Sequence, residues 1–142
     1  MISSIGISVA ALAGVALVGC TSKVPEVHEL TKPVYSWSWT RGGCGGRRAL
    51  DGDGTLWLEE GCEDGRPKMT RGPRAPVAQR AAIVQAFARL PEPGTASCEP
   101  AHAFQIDAGG RVRTWNICEA TDPRLSSGVY AEVLGAFRGS SP

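Results

Sequence analysis

The chain has 142 residues, of which 42% are hydrophobic, and this is enough apolar material for one folded domain. Its formal net charge is +1, so the total charge gives no argument for a polyanionic partner. Nucleic acid is therefore not expected among the partners of this protein.

The first 20 residues carry no charged side chain, and their apolar core at residues 5–18 is 14 residues long. A transmembrane helix needs about 20 apolar residues, whereas the core of a signal peptide has roughly 7–15. The segment is therefore typical of a signal peptide, although no Lys or Arg precedes its core.

The apolar core ends in Leu17, Val18, Gly19 and Cys20, and this sequence resembles the lipobox of bacterial lipoproteins. The resemblance implies that residues 1–19 are a cleaved signal peptide and that Cys20 becomes a lipid-modified N-terminus. It places the protein in the bacterial cell envelope, with the membrane as a partner through the N-terminal lipid. A buried N-terminal helix and a secreted protein without lipid are the alternatives.

Thr21 follows the cysteine, and the aspartate that favours inner-membrane retention in many lipoproteins is absent. By the same resemblance, the outer membrane is favoured. Residues 20–33 form the lipidated cysteine and a proline-containing tether, which as a random coil reaches roughly 20 Å. Residues 34–142 then form a single domain.

The domain begins with a predicted strand at residues 34–40. Tyr35, Trp37 and Trp39 occupy alternate positions, which puts all three side chains on one side of the strand. The glycine-rich residues 41–46 predict a tight turn.

A hairpin follows, with strands at residues 47–51 and 55–59 around the turn sequence Asp-Gly-Asp-Gly. A calcium loop of the EF-hand type does not fit this turn, because Leu56 and Cys62 stand where Gly and Glu are needed. Residues 63–75 are rich in Gly, Pro and Arg and are interpreted as a loop.

Residues 76–90 are predicted to form a helix with an apolar stripe of Ile83, Phe87 and Leu90. A second hairpin is predicted from strands at residues 103–106 and 111–118, and a second helix at residues 128–138. Four residues of the first half recur 56 positions later, namely Asp51, Gly54, Leu56 and Cys62, which match Asp107, Gly110, Val112 and Cys118.

The predicted fold is therefore α+β. It has a small antiparallel sheet of four to five strands with two helices on one face, built from a duplicated β-β-α unit and cross-linked by disulfides. With Cys20 assigned to lipid, four cysteines remain, and this even number fits two disulfides in an oxidising compartment.

Four cysteines allow three pairings. Cys44 and Cys62 are equidistant from the middle of the first turn, and Cys98 and Cys118 are equidistant from the second turn. If each hairpin keeps its register, the pairs Cys44–Cys62 and Cys98–Cys118 are favoured.

The alternative for these cysteines is a zinc site that includes His28 or His102. Zinc sites usually contain ligand pairs two to four residues apart, and these cysteines are 18, 36 and 20 residues apart. No metal and no cofactor are therefore predicted. Neither histidine belongs to a recognisable catalytic motif, and an enzyme would require His102 to lie beside Glu99 or Asp107 in a pocket.

Two groups of residues are candidates for a binding surface. Trp37 and Trp39 form an aromatic row that is either core or a docking surface for a protein or a glycan. Arg71 and Arg74 belong to a run of basic residues between positions 66 and 89 with no acid among them. Such a run is either a solvated face or a site for an anionic glycan, a lipid headgroup or an acidic protein.

The order of an aromatic strand from Tyr35, an Arg41-Gly42-Gly43 turn and an Asp-Gly-Asp-Gly hairpin resembles small bacterial secreted domains of the emfourin type. The resemblance covers residues 34–137, although the four cysteines depart from the emfourin pattern. It implies a protein-binding role and, as an alternative function, inhibition of a metallopeptidase. No inhibitory residue is carried over.

The sequence as a whole predicts a lipid-anchored envelope protein with a non-catalytic binding domain. An envelope protein or a glycan is the expected type of partner. A purely structural envelope component is the remaining alternative, and it would expose no aromatic surface.

Overall fold

The computed structural model describes residues 32–139. The predicted signal peptide, the lipidation residue Cys20, most of the predicted tether and His28 lie outside these residues. Neither helix in the described part of the chain is long and apolar enough to cross a membrane.

Six strands and two α-helices form within residues 32–139. In chain order they are β1 (Val34–Arg41), β2 (Cys44–Leu50), β3 (Thr55–Cys62), β4 (Lys68–Arg74), α1 (Val77–Ala88), β5 (His102–Ala108), β6 (Arg111–Ile117) and α2 (Val129–Arg138), with a 3-10 turn at Pro123–Leu125. The strands form one antiparallel sheet in the order β4-β3-β2-β1-β5-β6. The α+β class is confirmed, but the sheet has six strands rather than four or five.

The additional strand is β4, which lies within the predicted loop at residues 63–75. It pairs with β3 along the sheet edge, and its register shifts by one residue where Gly72 and Pro73 form a bulge. Proline is tolerated here because the edge of a sheet needs no further N–H donor. A Cβ on Gly72 would lie 2.9 Å from the carbonyl oxygen of Leu56, so this close approach of strands requires glycine.

The turn predicted at residues 41–46 is much shorter in the structure. Gly42 and Gly43 alone form it, with φ angles of 57° and 76°, and β2 begins at the next residue. Two positive φ angles give a hairpin turn whose twist matches that of the strands, so two glycines are sufficient.

One face of the sheet packs against both helices. Trp37, Leu50, Phe104 and Trp115 belong to the same buried cluster as the apolar stripes of α1 and α2. Helix α1 contacts Tyr35 through Phe87, and α2 contacts Phe104 through Tyr130, each with ring centroids 5.2 Å apart. The helices therefore lie on one face, as predicted.

The opposite face carries mostly small and polar side chains. In the three strands β1, β5 and β6 these are Ser36, Ser38, Gln105, Thr114 and Asn116. Trp57 and the exposed Met69 continue this open face across β3 and β4.

Both predicted disulfides are confirmed. Cys44–Cys62 joins directly paired residues of β2 and β3. Cys98–Cys118 joins the segments before β5 and after β6, just beyond the last paired residues of that hairpin. Both bridges lie at the same end of the sheet, here called the disulfide end. The opposite end, where residues 51–54 connect β2 to β3, is called the turn end.

The proposed duplication is not an exact structural repeat. Leu56 is paired with Leu50 and packs against the core, whereas its counterpart Val112 is paired with Asp107 and is half exposed on the open face. The connection has four residues in the first hairpin and two in the second. Residues that match at a spacing of 56 therefore do not hold the same position in their strands, and Leu56 and Val112 lie on opposite faces of the sheet.

Candidate functional site

A pocket of about 330 Å³ opens at the disulfide end of the helix-covered face. Its wall is built by strands β1, β2 and β5 and by the last turn of α2. The residues that line it are Trp37, Trp39, Thr40, Arg41, Arg48, His102, Ala120 and Arg138. This arginine–tryptophan pocket is the candidate functional site.

Strand alternation explains why these side chains meet. Trp37 is paired with Arg48 on one side, and Trp39 is paired with His102 on the other. Directly paired residues of an antiparallel sheet project to the same face. Helix α2 ends at Arg138, and the pocket lies beside this last turn of the helix.

Gly46 makes room for the Trp39 ring. A Cβ at this position would lie 2.2 Å from Trp39 Cζ2 and 2.8 Å from the carbonyl oxygen of Glu59. The Trp39 indole therefore packs against the β2 backbone at Gly46, and its ring centroid lies 4.7 Å from that of Trp37.

His102 is held as a neutral imidazole. Trp37 Nε1 donates a hydrogen bond of 3.0 Å to His102 Nδ1. Burial and then the nearby positive charge of Arg138 lower the pKa of His102 below its usual value. A neutral histidine that accepts at Nδ1 carries its proton on Nε2, which is then a hydrogen-bond donor.

The three arginines of the pocket come from different elements. Arg48 donates from Nη1 to the carbonyl oxygen of Phe137 at 3.3 Å, which fixes its position at the end of α2. The Arg138 guanidinium lies 5.6 Å from the Trp37 ring centroid, in cation–π geometry. Arg41 lies exposed at the end of β1.

Among residues 32–139, no Asp or Glu side chain lines this pocket. The ion pairs found within residues 32–139 join Arg89 to Glu132, Arg113 to Glu92 and Arg124 to Asp122, so none of them uses a pocket arginine. A guanidinium presents five N–H donors suited to carboxylate and phosphate oxygens. The pocket can therefore receive an anionic group beside an aromatic wall.

The predicted binding surface divides into two separate regions. Trp37 is only 5% exposed and belongs to the core, while Trp39 is half-buried and borders the pocket. Arg71 and Arg74 lie on β4, three strands away from β1. The structure does not bring the two tryptophans and these two arginines together.

Arg71 and Arg74 instead belong to a second basic region, at the turn end. With Lys32 and Arg80 they surround the β2–β3 turn, and Asp53 is the one carboxyl among the residues lining that depression. We call these four basic residues the turn-end cluster. Hydrogen bonds from Thr55, and then the charges of Arg71 and Arg74, hold the pKa of Asp53 below its usual value.

The structure does not place Glu99 or Asp107 in the pocket that contains His102. The hydrogen-bond partner of His102 is Trp37. Asp107 is paired with Val34 and projects to the open face. Within residues 32–139, no three His, Cys, Asp or Glu side chains are grouped so that they could hold a metal ion.

Sequence reasoning missed Arg41, Arg48 and Arg138. One signal was present for Arg48, because it occupies an inward position of β2 between Gly46 and the buried Leu50. A charged residue on the core-facing side of a strand indicates either a buried hydrogen-bond partner or a ligand-binding site. Arg41 and Arg138 are distant in sequence, and only the fold brings them together.

Comparison with known protein families and with curated proteins found no match to this chain.

Proposed function

We propose that this protein is a lipid-anchored envelope protein whose domain binds an anionic ligand without catalysis. The observation that carries the proposal is the arginine–tryptophan pocket, where Arg41, Arg48 and Arg138 line one cavity to which no Asp or Glu of residues 32–139 contributes. The lipobox resemblance at Cys20 supports the anchor, and Thr21 supports the outer membrane.

The charges of the pocket favour a ligand with more than one negative charge. Three guanidinium groups around one monocarboxylate would leave two positive charges uncompensated. The ring of the half-buried Trp39 favours a flat or apolar group next to the anion, because it offers a face or an edge for packing. A phosphorylated or polycarboxylate ligand with such a group has the required chemistry.

The binding test uses phenyl phosphate as the probe, because it joins a dianion to an aromatic ring. Intrinsic tryptophan fluorescence follows the titration, since Trp37 and Trp39 line the pocket. We expect binding at about millimolar concentration, as befits a small probe. Arg48→Gln and Arg138→Gln should each weaken binding at least about tenfold, because each removes charge-assisted hydrogen bonds.

Arg111→Gln is the matched control, since it removes the same charge from an exposed site on β6. Equal affinity of the parent and both pocket variants for phenyl phosphate would refute the binding proposal. It would then favour the purely structural alternative.

The anchor is tested separately by the intact mass of protein purified from membranes, before and after reduction and alkylation. A lipid-modified N-terminus at Cys20, with four thiols that are alkylated only after reduction, is the expected result. An unprocessed N-terminus would contradict the anchor and leave the binding test unaffected.

Metallopeptidase inhibition, implied by the emfourin resemblance, is the alternative function. No residue of the pocket or of the turn-end cluster is assigned a role in this inhibition. An inhibition assay against a zinc metallopeptidase distinguishes it from anion binding, because Arg48→Gln has no reason to change inhibition.

A further inference from the structure

The turn-end cluster lies where the chain enters the domain from the anchor. Lys32 follows Cys20 by 12 residues, so the two are separated by at most about 40 Å even if the chain is fully extended. Lys32 packs on the β2–β3 turn, because a Cβ on Gly52 would lie 2.5 Å from Lys32 Cβ. The cluster therefore surrounds the point at which the chain from Cys20 enters the domain.

The cluster carries more positive than negative charge among residues 32–139. Within this part of the chain, four basic side chains line its depression against the single carboxyl of Asp53. None of the ion pairs found in residues 32–139 involves Lys32, Arg71, Arg74 or Arg80. The Nε of Arg80 is buried and has no hydrogen-bond partner among the described residues.

The disulfide end lies at the other end of the same strands. From Val34 to Arg41, β1 extends about 23 Å at the usual rise per residue. A domain whose turn end rests on the membrane would therefore hold the arginine–tryptophan pocket away from it.

We propose that the turn-end cluster binds anionic phospholipid headgroups of the membrane that holds the anchor, and thereby orients the domain with its pocket outward. This inference rests on the proposed anchor. Two features of the cluster favour a membrane over a small ligand: it is open, and its charges are spread over β4, α1 and the chain entering β1. Basic residues close to an anionic bilayer each add to its attraction, and such a patch complements a lipid anchor.

The test uses the mature chain with Cys20→Ser, so that no lipid is attached, and measures co-sedimentation with vesicles. One set of vesicles is phosphatidylcholine alone, and the other is an equal mixture of phosphatidylcholine and phosphatidylglycerol. We expect binding only to the mixed vesicles, with loss of binding at high salt. Arg71→Gln with Arg74→Gln should lower the partition coefficient roughly 30-fold, or about fivefold for each charge removed.

The matched control is Arg66→Gln with Lys68→Gln. It removes two charges from the same basic run, but near the disulfide end of β4. We expect this control to stay within about threefold of the parent, because those charges lie beyond a Debye length from the membrane. An equal loss in both double variants would overturn the proposal, since binding would then depend on total charge.

A second arm uses the lipid-modified protein in the same two kinds of vesicle. Phosphatidylglycerol should shield Arg71 and Arg74, but not Arg66, from an arginine-specific reagent. Equal reactivity of all three would overturn the proposed orientation.

Binding of the Cys20→Ser chain to heparin but not to mixed vesicles would overturn the proposal in favour of an anionic glycan. The Cys20→Ser experiment needs no lipid attached to the protein. It therefore tests membrane binding by the cluster even if the proposed lipid anchor is wrong.

Discussion

The two basic regions of this protein contain similar numbers of arginines in very different surroundings. In the arginine–tryptophan pocket, Arg48 and Arg138 are positioned by the Phe137 carbonyl and the Trp37 ring. At the turn end, Arg71 and Arg74 are exposed, and Arg71 lies over the ring of Trp57 on the open face, 5.7 Å from its centroid.

The difference indicates different kinds of partner. Positioned cations beside aromatic rings suit one small anion, because donors and rings are fixed before the ligand arrives. Exposed cations spread over several elements suit a charged surface, where no single contact is decisive. Under the two proposals, one end of the sheet binds a small anion and the other end faces the membrane.

The largest expected effect on stability comes from the disulfides. Removing Cys98–Cys118 by paired substitution to Ala should lower the free energy of unfolding by about 3 kcal/mol, because each bridge closes a loop of about 20 residues. Thermal unfolding measures the loss. The lost bridge lies close in sequence to two residues that line the pocket, since His102 follows Cys98 and Ala120 follows Cys118. Phenyl phosphate binding should therefore weaken, whereas vesicle binding at the turn end should persist. Loss of both activities in the folded variant would contradict the separation of the two ends.

A smaller effect is expected from Gly46→Ala. The added Cβ would collide with the Trp39 ring and the Glu59 carbonyl, and relieving this overlap should cost about 1–3 kcal/mol. Phenyl phosphate binding should fall as Trp39 is displaced. Gly65→Ala is the control, since a Cβ there meets nothing within 4 Å. If both variants behave like the parent, Trp39 does not form the wall of the pocket.

The pH dependence of the pocket follows from the lowered pKa of His102. The unfolded chain binds a proton at this site more readily than the native one, so stability should fall as the pH drops through the usual histidine pKa of about 6.5. Binding of sulfate, whose charge is constant in this range, should not strengthen there, because the arginines alone supply the charge.

Calorimetry at several pH values measures sulfate binding, and thermal unfolding at the same pH values measures the stability. A parent protein whose sulfate affinity rises on acidification would have a charged His102, contrary to the neutral imidazole that accepts the Trp37 hydrogen bond.

The smallest effect is expected on the open face. Met69 is 63% exposed, and Met69→Ser should change the free energy of unfolding by no more than about 0.5 kcal/mol. Phenyl phosphate and vesicle binding should both stay at parent values. A loss of either would show that the open face is part of a binding surface.

Much of the fold followed from local patterns. The alternation of Tyr35, Trp37 and Trp39 predicted the face of β1, and the stripe of Ile83 and Phe87 predicted α1. The cysteine spacings gave the correct disulfides. In the second hairpin, Gly109 and Gly110 form the turn, within the predicted connection at residues 107–110, and the Cys98–Cys118 bridge lies beyond the last paired residues.

The misread positions share a physical cause, since glycine has two uses that look alike in a sequence. Gly42 and Gly43 form a turn, whereas Gly46 provides space for a ring and Gly72 for a neighbouring strand. Strand β4 was not predicted because its Gly and Pro are typical of a loop. Proline is tolerated in a strand at the edge of a sheet, where no further strand pairs with it, and the sequence does not show that β4 lies at an edge. The pocket was missed because its arginines lie on three elements, and no local pattern records their convergence.

The most direct test of the account measures phenyl phosphate binding and vesicle binding on the same two double variants of the Cys20→Ser chain. Arg48→Gln with Arg138→Gln should abolish phenyl phosphate binding and leave phosphatidylglycerol vesicle binding intact. Arg71→Gln with Arg74→Gln should do the reverse. If either double variant reduces both activities to the same extent, the two basic regions are one electrostatic surface and the division between a ligand end and a membrane end is wrong.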